Sequence, residues 1–137
     1  MRVYLDANIL FSAAKSDGAV RALVRLLVDR GHECWVDAYV VIEARRNLQA
    51  KGAEAMDVLE ALLPHLRLAA TAPVAAVPSA DLSWLPEKDR PVLAAAMRLR
   101  CDALVTGDRT HFGAGYGQAF GGVTLYSPRS LAERLMQ

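Results

Sequence analysis

"VYLDANILFSA", residues 3–13, decides how this chain is read. Arg2–Leu5 is short, β-branched and aromatic, which predicts a strand. Apolar character resumes at Ile9, yet Asp6 and Asn8 stand in between. A carboxylate taken out of water into such a run is costly unless it meets a cation, a metal or a set of donors. Asp6 therefore needs a partner, and the rest of the chain must supply it.

Working outward, the 137 residues fit one domain, 1–137, around a single core. Hydrophobic residues make up 53% and mean hydropathy is +0.16, which excludes a disordered or low-complexity chain. The net charge of +1 carries no nucleic-acid footprint. Thirteen of the 16 basic residues are Arg, whose planar fork suits phosphate. Abundant Ala beside them favours a base-composition bias as the plainer reading. Cys34 and Cys101 form no CxxC pair, which argues against a zinc site or a disulfide scaffold and for a reducing, cytoplasmic location. The apolar region 61–80 is broken by Pro64, His65, Arg67, Pro73 and Pro78, so no membrane span is expected.

After a turn region at Asp6–Ser16, "GAVRALVRLLVDRG" places Val20, Leu23, Val24, Leu27 and Val28 at helical spacing, with Gly31 as the stop. "ECWV" predicts a second strand. "DAYVVIEARRNLQAKG" predicts a helix capped by Asp37 and stopped at Gly52. "AEAMDVLEALLPHL" predicts another helix. "LRLAA" reads as a strand, "VAAV" as a second short apolar run, and the Pro/Ser-rich stretch as a surface loop. "EKDRPVLAAAMRLRC" predicts a helix and "DALVTGD" a strand with a turn. "GAGYGQAFGG" reads as a loop and "VTLYS" as a last strand. Ser127 then caps a C-terminal helix with Pro128 at its first position. Strands alternating with helices imply βαβ units, hence a three-layer α/β/α fold with a central, mostly parallel sheet.

In such a sheet, ligands bind beyond the carboxyl ends of the strands. Asp6 follows the first strand and Asp108 the "DALVT" strand. Asp89 and Glu43 lie near helix starts, which meet the same edge because the helices run antiparallel to the strands. Each has an ordinary alternative: an Asx turn for Asp6, a solvated face for Glu43, a cap for Asp89 and a turn for Asp108. All four at one edge is what the ordinary alternatives do not explain. Clustered carboxylates without nearby lysines repel one another and suit Mg²⁺ or Mn²⁺ rather than zinc. That arrangement serves phosphoryl transfer to water.

"VYLDANILFSA", "VVIEARRNL", "KDRPVLAAAM" and "DALVTGDRTHF", in this order, resemble the PIN-domain ribonucleases, and within them the VapC-like toxins. The resemblance runs from the first strand to the last helix. It implies that Asp6, Glu43, Asp89 and Asp108 bind one or two Mg²⁺ or Mn²⁺ ions and hydrolyse an RNA phosphodiester. It implies that Asn8 supports the first acid and that Thr106 positions the last acid or a phosphate. It further implies a homodimer, and a type II toxin inhibited by an antitoxin laid into its groove. One departure stands out: many such toxins carry an Asp before the Phe of the last motif, where this chain has His111. A weakly held second metal follows, with His111 or Arg109 at a substrate phosphate.

Other classes fit less well. A haloacid-dehalogenase-type enzyme needs a second Asp where Asn8 stands. A receiver domain needs paired acids after the first strand and a late Lys that Lys88 does not supply. No G-x-G-x-x-G loop follows a strand. A nuclease for structured DNA would need gripping elements for which the chain is too short. The alternative from another class is a catalytically inactive PIN-fold module that binds RNA or protein.

Overall fold

The structure is a computed structural model that describes residues 1–70 and 82–137. The strands are β1 (Arg2–Leu5), β2 (Glu33–Asp37), β3 (Arg67–Ala69), β4 (Ala103–Val105), β5 (Ala119–Phe120) and β6 (Val123–Tyr126). The helices are α1 (Ala7–Lys15), α2 (Ala19–Asp29), α3 (Ala38–Lys51), α4 (Met56–Leu62), α5 (Arg90–Arg98), α6 (Arg109–Phe112) and α7 (Pro128–Leu135). Short 3₁₀ turns precede and follow α4 and lead into α5.

The sheet order is β3-β2-β1-β4-β6-β5, parallel throughout except for the β5–β6 edge. From Val3 to Leu5 and from Ala103 to Val105 every residue is buried, so these strands show no polar–apolar alternation. That is what a parallel sheet with helices over both faces demands, and it confirms the expected three-layer α/β/α class. One core cluster joins the central strands to Ile9, Leu10, Leu27, Leu48, Leu93 and Leu131 from the surrounding helices.

Chain direction on the sheet reverses at β1. The chain builds outward through β2 and β3, then returns to start β4 on the other side of β1. The crevice between the carboxyl ends of β1 and β4 is therefore the switch point of the sheet. The ladder continues past both strand ends, with Asp6 N–H donating to Val105 O and Thr106 N–H to Tyr126 O.

Three expectations need correction. The supposed turn after Asp6 is the nine-residue helix α1, whose buried stripe (Ile9, Leu10, Ala13, Ala14) relies on alanine as the apolar residue. The supposed loop "GAGYGQAFGG" holds strand β5, joined to β6 by Gly121–Gly122. Both glycines have positive φ (55° and 83°), as a tight two-residue hairpin requires. The helix expected over "AEAMDVLEALLPHL" is divided: α4 is flanked by 3₁₀ turns, the second containing Pro64. Expectations for the "VAAV" run and most of the Pro/Ser-rich loop fall on residues 71–81, outside the described residues.

At least six of the 13 arginines make structural contacts. Arg21 donates to Ala13 O and Ala14 O, Arg90 to Leu82 O and Leu85 O, and Arg98 to Ala70 O. Arg45 forks onto Glu60, and Arg2 and Arg67 lie over Trp35. Among the described residues no helix is long and apolar enough to cross a membrane.

Candidate metal centre

Asp6 ends β1 and begins α1. Asp6 is 5% exposed, and its carboxylate is hydrogen-bonded at both oxygens. Oδ1 accepts from Ala7 N–H at 2.7 Å, while Oδ2 accepts from the Thr106 hydroxyl at 2.8 Å and Asn8 Nδ2 at 3.1 Å. Burial nonetheless outweighs these donors, and with Glu43 adding like charge it pushes the Asp6 carboxyl up to about 6. The group is oriented and hydrogen-bonded, yet still short of positive charge.

Asn8 and Thr106 tie the ends of the two strands together. Asn8 Nδ2 also reaches Thr106 Oγ1 at 3.2 Å, and its Oδ1 accepts from Gly107 N–H at 2.7 Å. Thr106 is fully buried, and its hydroxyl, which donates to Asp6, accepts from Asp108 N–H at 3.1 Å. One hydroxyl thus links the first acid to the backbone of the last. Tyr116 braces the same turn by donating to Thr106 O at 2.6 Å.

Asp108 caps α6. Its Oδ1 accepts from His111 N–H at 3.1 Å. Asp89 occupies the cap position of α5, but its side chain makes no capping bond. It turns instead toward His111, whose Nδ1 stands 3.0 Å from Asp89 Oδ2 and 2.8 Å from Asp108 Oδ2. Neither contact has the alignment of a hydrogen bond, so Asp89 Oδ2 and His111 Nδ1 are solvent-shielded without hydrogen-bond partners. Burial raises the Asp89 carboxyl, opposed by His111 and Lys88 and reinforced by Asp108.

Glu43 is half-buried in the second turn of α3, close enough to act electrostatically on Asp6. Tyr39, one turn earlier, feels Glu43, Asp89 and Asp6, and burial together with these charges raises its phenol. Its hydroxyl donates to Lys88 O at 2.5 Å, tying the helix of Glu43 to the turn of Asp89. Tyr116 in turn feels Asp108 and Asp6. Asp89 and Asp108 thus come together with His111, whereas Asp6 and Glu43, which act on each other electrostatically, lie outside that group. Asp37 lies at the same edge but is committed to Tyr4 Oη at 2.8 Å and Val40 N–H at 3.3 Å.

The residues fit a divalent cation. One oxygen each from Asp89 and Asp108 and a nitrogen of His111 lie within 4.8 Å of one another, and two of these donor atoms are shielded from water and held by ion pairing without an aligned hydrogen bond.

The PIN domain family matches residues 2–110. The chain is a PIN-domain protein. PIN domains are generally nucleases. No curated protein matches the chain by sequence. Its fold is similar to that of a chain in the VapBC2 complex from Rickettsia felis bound to promoter DNA (16% identity, TM-score 0.69, covering 93% of this chain and 98% of that one). It is likewise similar to a chain of FitAcB from Neisseria gonorrhoeae (20%, 0.63, 93% and 98%). A third is a chain of DNA-bound VapBC from Salmonella typhimurium (14%, 0.67, 93% and 98%).

Element ends in the sequence pointed to the four acids, and the family resemblance added Asn8 and Thr106. Both missed Tyr39 and Tyr116, since a hydroxyl donating to a distant backbone carbonyl leaves no local signal. The sequence offered His111 or Arg109 for a substrate phosphate; in the fold His111 Nδ1 faces the two carboxylates and Arg109 is exposed beside Asp108.

Proposed function

We infer that this PIN-domain protein is a cytoplasmic, metal-dependent endoribonuclease, the toxin of a type II toxin–antitoxin pair. The single observation that carries the metal dependence is the cluster of shielded ligand atoms, Asp89 Oδ2 and His111 Nδ1, gathered with Asp108 within 4.8 Å of one another. Asp6, Glu43, Asp89 and Asp108 would hold Mg²⁺ or Mn²⁺. When bound, the cation supplies charge for the phosphate oxygens and a more acidic water.

The chain's own residues do the rest. Thr106 and Asn8 hold Asp6 in one orientation, which lowers the cost of assembling the site. The capping bond from His111 N–H takes Asp108 Oδ1 and leaves Oδ2 facing the crevice. Arg109, exposed at the rim, meets an RNA phosphate. An antitoxin segment laid along this groove would block it, in keeping with the toxin–antitoxin complexes that share the fold. Exposed Ile42 and Leu68, beside Val36, Val41 and Leu63, offer an apolar face for a second copy of the chain.

The test is cleavage of labelled RNA with Mn²⁺, with Mg²⁺ and with EDTA, beside Asp6→Asn. Metal-dependent cutting lost in the variant supports the nuclease. Cutting that survives in Asp6→Asn points to a contaminant. Absence of both cutting and metal binding favours a non-catalytic binding module.

A further inference from the structure

Building on the metal-site reading above, we propose that His111 is itself a ligand, through Nδ1, of a cation held with Asp89 and Asp108. This nitrogen makes that half of the site prefer a first-row transition cation such as Mn²⁺ over Mg²⁺.

Three features support the assignment. The first is spacing. His111 Nδ1 lies 2.8 Å from Asp108 Oδ2 and 3.0 Å from Asp89 Oδ2. Neighbouring ligands of an octahedral cation with bonds of about 2.1 Å stand about 3 Å apart. The second is alignment. Nδ1 stands between the two carboxylate oxygens and points squarely at neither, as a shared position rather than a single donor–acceptor bond requires, and Nδ1 and Asp89 Oδ2 are both shielded from water. The third is local scaffolding. His111 N–H donates to Asp108 Oδ1, so one backbone bond orients both side chains and leaves Asp108 Oδ2 beside Nδ1.

The chemistry follows from the donor set. Carboxylate and water oxygens serve Mg²⁺ and Mn²⁺ alike, whereas imidazole favours transition ions. The Asp6 side offers oxygen donors, with Glu43 as its charged neighbour. The Asp89–Asp108 side adds nitrogen. An aspartate in place of His111 would remove that distinction. The second position is thus refilled by a different donor rather than left weak.

Mn²⁺ alone is the probe. Pulsed electron paramagnetic resonance of the Mn²⁺-loaded protein reads ¹⁴N coupling directly. Isothermal titration compares Mn²⁺ with Mg²⁺ in the native chain, His111→Ala and His111→Asp. The expected result is ¹⁴N coupling in the native protein that vanishes in both variants. Mn²⁺ affinity should fall at least ~10-fold in His111→Ala, no less than the loss of an outer-shell partner would cause. The Mn²⁺/Mg²⁺ preference should narrow by a similar factor in His111→Asp. Should His111→Ala fail to fold, as judged by circular dichroism, His111→Gln takes its place. Bound Mn²⁺ that is sensitive to Asp108→Asn but shows no ¹⁴N coupling overturns the proposal and leaves the carboxylate site standing. Coupling that persists in the His111 variants overturns it too. Absence of Mn²⁺ binding overturns both this proposal and the metal-site reading.

Discussion

The two halves of the acidic edge are built in opposite ways. Asp6 is nearly sealed, anchored at the end of a central strand, and meets a donor at each oxygen. Asp89 and Asp108 sit at helix starts, are partly exposed, and present oxygens to His111 without hydrogen bonds to it. The first half is preorganised by the fold. The second is held by two helix starts and by the ion pairs that His111 makes to both acids. On the reading proposed above, Asp6 is the fixed ligand and Asp89 and Asp108 the adjustable ones.

Removing the sealed acid should cost most. Asp6→Asn is expected to reduce metal-dependent RNA cleavage by ~10²–10³-fold, as loss of several kcal/mol of cation-mediated stabilisation implies. Single-turnover cleavage of labelled RNA measures it. A loss of less than ~10-fold would mean that Asp6 is not the anchor and would erase the contrast between the halves.

Acidity probes the same group without substrate. The Asp6 carboxyl is raised from 3.8 to about 6, so folding favours its protonated form. This group's ionisation costs nothing below pH ~4, costs progressively more as pH rises through that window, and costs its full amount above pH ~6. The difference is about 3 kcal/mol at full ionisation. Urea denaturation of the metal-free protein at pH 4 and pH 7 should therefore show a larger fall for the native chain than for Asp6→Asn. Mn²⁺ should recover the loss at pH 7. An identical fall in both proteins would remove Asp6 as the source.

Thr106 sharpens the comparison at one atom. Thr106→Val takes the donor from Asp6 and the acceptor from Asp108 N–H, at a cost of about 2 kcal/mol. Thr106→Ser keeps the hydroxyl and should lose less than half as much. Equal losses would assign the residue to packing alone.

The smallest effect belongs to the rim. Arg109→Ala should weaken binding of single-stranded RNA a few-fold and lower the salt slope by about 0.7, with the metal-loaded site unchanged. An unchanged slope would remove Arg109 from the RNA path.

Much of this was legible before the structure. The continuous apolar runs of β1 and β4, the helical spacing of α2 and the cap–glycine brackets of α3 are local signals, and local signals survive in sequence. Strand β5 left one too, in Gly121–Gly122, but its two residues are too few to show a period. Helix α1 was hidden because its stripe is half alanine. The four acids were legible through their places at element ends, while their shared edge had to be inferred from sheet order.

By itself the sequence determined which carboxylates end strands or open helices, and that a mostly parallel sheet would gather them at one edge. Element ends follow from capping and periodicity, which act over a few residues. Only the tertiary structure decided that Thr106 joins Asp6 to Asp108, that Asp89 forgoes capping to face His111, and that Tyr39 and Tyr116 brace the turns. Each of those contacts depends on side-chain direction at the switch point between β1 and β4. That direction is set by packing between separate segments, from 10 residues apart for Tyr116 and Thr106 to 100 for Thr106 and Asp6, which no short stretch of sequence encodes.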